Sequence, residues 1–119
     1  MKIIGLIGGM SWESSSEYYR IVNEKTKALL GGFSSSKCLM YSVDFAEIED
    51  LQHKGDWDKL NELMSNAAER LYKGGAEIII LCTNTMHLCS QAITDAVPIP
   101  FLHIAEATGQ AIAKEGLKK

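Results

Sequence analysis

Several features that mark membrane, secreted or nucleic-acid-binding proteins are missing from this sequence. No apolar run in the 119 residues is long enough to cross a bilayer. The apolar run from Lys2 to Ile7 is too short for a signal peptide, is interrupted by Gly5, and leads to no small-residue cleavage site. The net charge of -3 disfavours a basic nucleic-acid surface. These absences predict a cytoplasmic protein that binds neither nucleic acid nor membrane.

Cysteine and histidine are also scarce, with three of each. An odd number of cysteines without a secretory signal argues against a disulfide framework, so the thiols are predicted to be reduced. A structural zinc ion needs four ligands at recognisable spacing, and Cys82, His87 and Cys89 do not form such a pattern. The sequence therefore predicts no metal. Cys38 and Cys89 lie among apolar neighbours, which predicts that both are packing residues.

What the sequence does contain is a regular alternation of strand-like apolar runs and helical patterns. The order β-α-β-α-β-α-β-α favours parallel strands joined by right-handed crossovers. It predicts an α/β fold with one open, mainly parallel four-stranded sheet and helices on both faces, a flavodoxin-like three-layer sandwich that forms a single domain over residues 1–119. The predicted strands lie at 2–7, 37–43, 78–81 and 98–102. The first predicted helix ends near residue 30, and the other three cover 57–73, 84–96 and 103–114. Residues 44–54 are predicted to form an irregular or short helical connection.

Open parallel sheets bind their ligands at the carboxyl ends of the strands. That rule selects three segments, which are Gly8 to Ser11, Asp44 to Gln52 and Cys82 to Thr85. The first contains glycines that let the backbone approach a ligand closely, and from spacing alone an ordinary tight turn between strand and helix has about equal weight. It lacks the spacing of dinucleotide-binding and phosphate-binding loops, so nucleotide binding is disfavoured. The second segment is acidic and is expected to form either a solvated face or one wall of a cleft.

Cys82 is the strongest candidate for chemistry, because it lies where a buried strand gives way to a helix N-terminus. The free amides and the helix dipole at such a position favour negative charge. They predict a lowered pKa for the Cys82 thiol and a carboxylate-binding site formed by the amides of Thr83, Asn84 and Thr85. From position alone, an inert buried cysteine with Asn84 as helix cap has about equal weight. Hydrolysis by Cys82 and His87 is disfavoured, because no glycine-flanked nucleophile elbow is present.

Five segments of the chain form a recognisable set. They are Ile7-Gly8-Gly9-Met10-Ser11-Trp12-Glu13-Ser14, Tyr41-Ser42-Val43-Asp44-Phe45, Gln52-His53-Lys54-Gly55-Asp56-Trp57, Cys82-Thr83-Asn84-Thr85-Met86-His87 and Pro100-Phe101-Leu102-His103-Ile104-Ala105. The fourth segment resembles the first cysteine signature of the aspartate/glutamate racemase family, and the other four resemble its aspartate-racemase-like branch. The resemblance extends over essentially the whole chain and is specific in several separate places.

The resemblance implies cofactor-independent racemisation of an acidic amino acid by two cysteines. One thiolate removes the α-proton, and the other cysteine, as a thiol on the opposite face, returns a proton. Amide donors on the substrate carboxylate stabilise the carbanion as it forms. The positions that match the family's site are Cys82 for proton transfer, Thr83, Asn84 and Thr85 for the substrate carboxylate, and Met10, Ser11 and Gln52 for the wall of the cleft.

The resemblance also implies that half of the active site is missing from the chain. The family's second cysteine lies in a second, similar domain, and neither Cys38 nor Cys89 matches it. We therefore expect one domain of a two-domain racemase, inactive or weakly active alone, that forms a homodimer or pairs with the missing domain. Neighbouring families racemise hydantoins or decarboxylate malonates, whereas the Met-Ser-Trp-Glu loop favours the amino-acid branch. The alternatives are a domain that binds an acidic amino acid or a partner chain without turnover, and a flavodoxin-like nucleotide binder.

Overall fold

Strands and helices alternate along the chain, as the sequence predicted. The computed structural model describes residues 1–10, 12–82 and 89–102. No helix in those ranges is both long and apolar enough to span a membrane. The predicted last helix and the start of the helix predicted from residue 84 lie outside the described residues. The connection predicted at 44–54 is a regular helix over most of its length. The elements are β1 (Ile4–Gly8), α1 (Trp12–Leu30), β2 (Cys38–Ser42), α2 (Phe45–Lys54), α3 (Trp57–Lys73), β3 (Ile78–Leu81), α4 (Ser90–Ala96) and β4 (Phe101–Leu102).

β1 lies in the interior of a parallel sheet with the strand order β2-β1-β3-β4. Ile7 of β1 lies opposite Tyr41 on one side and opposite Leu81 on the other. The chain therefore winds outward from β1 to β2 and then crosses back over β1 to β3. In sheets of this order, ligands bind between the first and third strands at their carboxyl ends. The predicted parallel α/β sheet is confirmed.

Apolar side chains alternate between the two faces of the sheet and form two cores. Ile7 and Ile79 pack beneath α2, α3 and α4 in what we call the main core. Leu6 and Ile80 pack on the opposite face, beneath α1, in what we call the α1-side core. The sheet is thus covered on both faces. The main core comprises Ile7, Met10, Ile48, Leu60, Met64, Ala67, Ala68, Leu71, Ala76, Ile79, Leu81, Cys89, Ile93 and Val97, and the α1-side core comprises Ile4, Leu6, Val22, Ile78, Ile80 and Cys82.

Aspartates begin the two helices that follow β2. The Asp44 Oδ1 atom accepts a hydrogen bond of 3.0 Å from the Ala46 amide at the start of α2. The Asp56 Oδ1 atom accepts one of 3.1 Å from the Lys59 amide at the start of α3. Caps of this kind typically contribute about 1 kcal/mol each. The first cap also fixes the direction in which the chain leaves β2, so the Asp44 carboxylate stays at the carboxyl edge of the sheet.

The turn after β1 requires glycine at position 9. Gly9 has a φ of +96°, a left-handed conformation that residues with a side chain rarely adopt. A Cβ atom there would lie 2.6 Å from the Val43 amide nitrogen and 2.8 Å from the Ser42 hydroxyl, and would also collide with the Val43 carbonyl. The Val43 amide donates a 2.9 Å hydrogen bond to the Gly8 carbonyl. The turn is therefore packed directly against the end of β2.

Gly9→Ala should destabilise the fold more than Gly31→Ala does. Both glycines have positive φ, so each substitution strains the backbone by about 1–2 kcal/mol. A Cβ at Gly31 would have no atom within 4 Å, whereas one at Gly9 would meet the backbone of Val43. We expect Gly9→Ala to lose about 2 kcal/mol more of the free energy of unfolding than Gly31→Ala, as measured by urea denaturation. Equal losses would contradict the tight contact with Val43.

Candidate functional site

Loops after three parallel strands come together at the carboxyl edge of the sheet. Gly9 follows β1, Val43 follows β2 and Cys82 follows β3. Two backbone hydrogen bonds, each of 2.9 Å, join these loops to the sheet: the Val43 amide donates to the Gly8 carbonyl, and the Cys82 amide donates to the Ile7 carbonyl. Cys82 therefore lies beside the carboxyl end of β1, between the first and third strands, where sheets of this order bind ligands.

Ser15 of α1 holds the turn after β1 in place. Its side chain is buried, and its Oγ atom accepts a 2.8 Å hydrogen bond from the Gly9 amide. Gly8 also packs tightly against this side chain, because a Cβ atom on Gly8 would lie 2.5 Å from the Ser15 Oγ atom. Sequence reasoning did not single out Ser15. The run Ser14 to Ser16 contains three identical residues, and nothing in the sequence distinguishes the one that faces inward.

Cys82 lies directly after β3, as predicted, and it is completely buried. Its amide extends the ladder between β1 and β3 by one residue beyond the end of the strand, through the hydrogen bond to the Ile7 carbonyl. Its side chain belongs to the α1-side core, together with Leu6, Val22 and Ile80. The thiol is therefore surrounded on this face by hydrocarbon.

The Cys82 thiol is protonated near neutral pH in these surroundings. Burial raises its pKa to about 12 from an ordinary value of 9.0, because a thiolate would lose its hydration. The sequence predicted a lowered pKa, and that prediction is wrong for this arrangement: the depth of burial dominates the shift. Tyr18 of α1 packs against the same core. The pKa of Tyr18 is raised by burial and, to a smaller extent, by the negative charge that Cys82 carries as a thiolate.

The two described residues that were predicted to line a substrate cleft have different environments. Met10 follows the Gly9 turn and is packed in the main core, where only 3% of it is exposed. Gln52 is half-buried near the end of α2, and its carbonyl accepts a 3.1 Å hydrogen bond from the Gly55 amide. Substrate contact by either residue stays a prediction. The other residues predicted for the site, Ser11, Thr83, Asn84 and Thr85, lie outside the described residues, as does His87.

The other two cysteines are packing residues, as predicted. Cys38 begins β2 and is half-buried against the α1-side core. Cys89 precedes α4 and is buried in the main core. Burial raises the pKa of Cys89 to about 11 and also raises that of Cys38. Over the ranges that the structure describes, no three His, Cys, Asp or Glu side chains come together as a metal ion would require.

Comparison with known proteins identifies the family to which the chain belongs. The family model of the Asp/Glu/hydantoin racemases matches residues 7–119. The chain belongs to this family. Among solved structures, it is similar to a candidate Asp/Glu racemase from Yersinia pestis, with 56% identity and a TM-score of 0.87. It is also similar to PH1733, an aspartate racemase homologue from Pyrococcus horikoshii OT3, with 32% identity and a TM-score of 0.81. In both comparisons, 98% of this chain covers 50% of the other.

A curated relative is the broad specificity amino-acid racemase RacX of Bacillus subtilis (strain 168). It is 28% identical over an aligned length of 109 residues, and the match covers 89% of this chain and 47% of RacX. The chain therefore spans about half the length of the relatives that it matches. The predicted membership of the aspartate/glutamate racemase family is confirmed, and the half-length coverage fits one domain of a two-domain racemase.

Cys38 should react with iodoacetamide before Cys82 and Cys89 do. Alkylation requires an accessible thiolate, and Cys38 is half-buried whereas the other two thiols are buried and have strongly raised pKa values. At mildly alkaline pH, we expect Cys38 to be modified about tenfold faster or more. Peptide mass spectrometry after timed exposure measures the three rates. A Cys82 that reacts as fast as Cys38 would show that the thiol is open to solvent.

Alkaline pH should destabilise the wild-type chain more steeply than the Cys82→Ala variant. Because the folded pKa of Cys82 is raised from 9.0 to about 12, the unfolded chain releases the thiol proton first as the pH rises. This contribution to stability is complete below about pH 9 and is lost between about pH 9 and pH 12, at about 1.4 kcal/mol per pH unit. Urea denaturation at several pH values measures both slopes. Parallel slopes for the two proteins would contradict the raised pKa.

Proposed function

We propose that this chain supplies one half of the active site of a cofactor-independent amino-acid racemase, with Cys82 as one of its two proton-transferring cysteines. The supporting observation is the position of Cys82 at the carboxyl end of β3, beside the carboxyl end of β1, in a chain of the Asp/Glu/hydantoin racemase family. The proposed substrate is an acidic amino acid, aspartate or glutamate. The names of the two solved relatives favour this class, and the broad specificity named for RacX makes the range of side chains part of the test.

Racemisation without a cofactor requires one acid/base group on each face of the α-carbon. A thiolate takes the α-proton, and the electron pair of the broken C–H bond is delocalised into the substrate carboxylate. A thiol on the opposite face then gives its proton to the α-carbon, so the two sulfurs end with exchanged protonation states. Hydrogen bonds to the substrate carboxylate stabilise the charge as it develops. The proposed donors of these bonds are the amides of Thr83, Asn84 and Thr85.

The burial of Cys82 favours the proton-donating role for this residue at the start of the reaction. A thiol with a pKa near 12 is protonated at neutral pH, so it begins as the acid. The partner cysteine, which we place in the part of the relatives' length that this chain does not span, begins as the thiolate. For the opposite enantiomer the roles are reversed, and Cys82 must then be a thiolate. Closer contact with positive charge or amide donors in the complete site would lower its pKa for that direction.

Binding of an acidic amino acid without turnover is a second candidate function. A single buried thiol cannot serve both faces of an α-carbon, and in the described ranges Cys82 is the only cysteine at the carboxyl edge of the sheet. Cys38 pairs with Ile4 at the opposite, amino edge, and Cys89 is packed in the main core. On this reading, the chain holds the substrate carboxylate but lacks the second acid/base group.

Exchange of the α-proton in deuterated water tests the proposal. The chain is incubated separately with L-aspartate and L-glutamate, loss of the α-proton signal is followed by NMR, and the enantiomers are separated by chiral chromatography. We expect slow exchange that Cys82→Ser lowers by about 100-fold or more, because the substitution removes an acid/base catalyst. Cys38→Ser is the matched control and should leave the rate unchanged, since Cys38 lies at the amino edge of the sheet.

The products separate the two candidate functions. Exchange together with formation of the D-enantiomer supports proton transfer on both faces, which in this chain alone would require a second copy. Exchange without inversion supports a half-site in which one thiol both removes and returns the proton. Saturable binding without exchange supports the second candidate. Exchange that is undiminished in Cys82→Ser would contradict the role proposed for this cysteine.

A further inference from the structure

A cavity of about 230 Å³ lies on the main-core side of the sheet, beside the carboxyl end of β2. The carboxyl end of β2, the first turns of α2 and the middle and second half of α3 line it, and it is open to solvent. Its apolar lining is continuous with the main core, because Val43, Ile48 and Leu63 contribute to both. Its polar rim consists of Tyr41, Ser42, Asp44, Glu47, Asn66 and Arg70.

Opposite charges face this cavity without neutralising one another. Arg70 approaches from α3, and the carboxylates of Asp44 and Glu47 approach from the start of α2. None of these three side chains takes part in the ion pairs found in the described part of the chain. One oxygen of Asp44 accepts the cap hydrogen bond from Ala46, and its other oxygen can accept a further donor. The rim of the cavity therefore presents one cation and two anions that are not joined in an ion pair.

Arg70 is held in a defined orientation on the wall of the cavity. Its guanidinium lies over the ring of Tyr41, 5.6 Å from the ring centroid. Tyr41 belongs to β2 and is fixed opposite Ile7 by the strand pairing. Stacking on an aromatic face orients the guanidinium plane and leaves its N–H edge available to an acceptor. An arginine that is oriented in advance loses less conformational entropy when it binds a carboxylate.

We propose that this cavity binds a small zwitterion, a free amino acid or another compact molecule that carries both a carboxylate and an ammonium group. The Arg70 guanidinium donates paired hydrogen bonds to the carboxylate. The ammonium group donates to Asp44 and Glu47. A ligand with one charge only would leave the opposite sign on the rim uncompensated. The volume suits a compact ligand, because pockets for drug-sized ligands typically exceed about 300 Å³.

The lining of this cavity shares no residue with the proposed racemase site. It lies beside the edge strand β2, whereas Cys82 lies beyond the end of β3 and packs in the core on the opposite face of the sheet. The inference therefore does not depend on Cys82 chemistry. Cys82→Ser should leave zwitterion binding at this cavity unchanged, which separates a failure of this proposal from a failure of the racemase proposal.

Glycine is a suitable probe, with acetate and methylammonium as the two half-ligands at constant ionic strength. Binding is followed by NMR through the ring signals of Tyr41, which are assigned with the Tyr41→Phe variant. The backbone amide signals of Ser42 and Asp44 are a second probe, and they report binding even in variants that alter the stacking on Tyr41. We expect saturable shifts with glycine and binding at least about fivefold tighter than that of either half-ligand, because only glycine satisfies both signs of charge. Glycine that binds no better than acetate would overturn the proposal.

Charge variants with matched controls locate the binding. We expect Arg70→Met and Glu47→Gln each to weaken glycine binding by about fivefold or more, and Arg70→Lys to retain part of it. Lys73→Met removes a positive charge from the same helix, and Glu49→Gln removes a negative charge from α2; neither residue lines the cavity, so neither should change the affinity. If the variants and their controls changed the affinity equally, net charge alone would explain the change, and the proposed site would be wrong.

A purely structural role for the same charges makes a different prediction. If Arg70 and Glu47 served only to stabilise the fold, both variants would lower the free energy of unfolding, and the wild-type chain would show no saturable glycine shifts at Ser42 or Asp44. That outcome would overturn the proposal. Urea denaturation of each variant, recorded beside the titrations, distinguishes lost binding from lost folding.

Discussion

The pairing of β1 with a strand on each side is the constraint on which the rest of the structure depends. Because β1 is hydrogen-bonded to β2 and to β3, the loops that follow these three strands emerge at one edge of the sheet. Close packing then fixes the loops in place. Gly9 has no room for a side chain against Val43, and the Ser15 hydroxyl accepts a hydrogen bond from the Gly9 amide. The position of Cys82 follows from the same arrangement, through its hydrogen bond to Ile7.

The burial of the Cys82 thiol has more influence on its protonation state than its position at the end of a strand does. The thiol is packed with Leu6, Val22 and Ile80 on the face that α1 covers. In such surroundings a thiolate loses hydration, so the proton is held tightly. A thiol in this state is suited to giving a proton to a carbanion and poorly suited to taking one from a carbon acid. The proton-donating role proposed for Cys82 thus has a physical basis in the burial of its thiol.

The sequence was sufficient for the architecture, because the signals that specify it are local. A continuous apolar run such as Ile78 to Leu81 predicts a buried parallel strand, and the right-handed crossover rule restricts how such strands can be ordered. The location of Cys82 at a strand end followed from the same reasoning. Its pKa did not, because the shift depends on how deeply α1 buries the thiol. The roles of Ser15 and of the stacked pair formed by Arg70 and Tyr41 were also missed, since each depends on contacts between elements that the sequence does not bring together.

The strand order also determines when the sheet can be completed during synthesis. Ile4 of β1 pairs with Cys38 and with Ile78, so one side of β1 has no partner until the ribosome has released the chain beyond β3. Parallel pairings between such distant segments form slowly, because the entropy of closing a long loop is lost before any contact is gained. In the interval, the nascent chain carries an apolar strand with unpaired amides and carbonyls, an edge to which other chains can add. The winding that places Cys82 beside β1 thus leaves one side of β1 open to other chains while α2 and α3 are being synthesised.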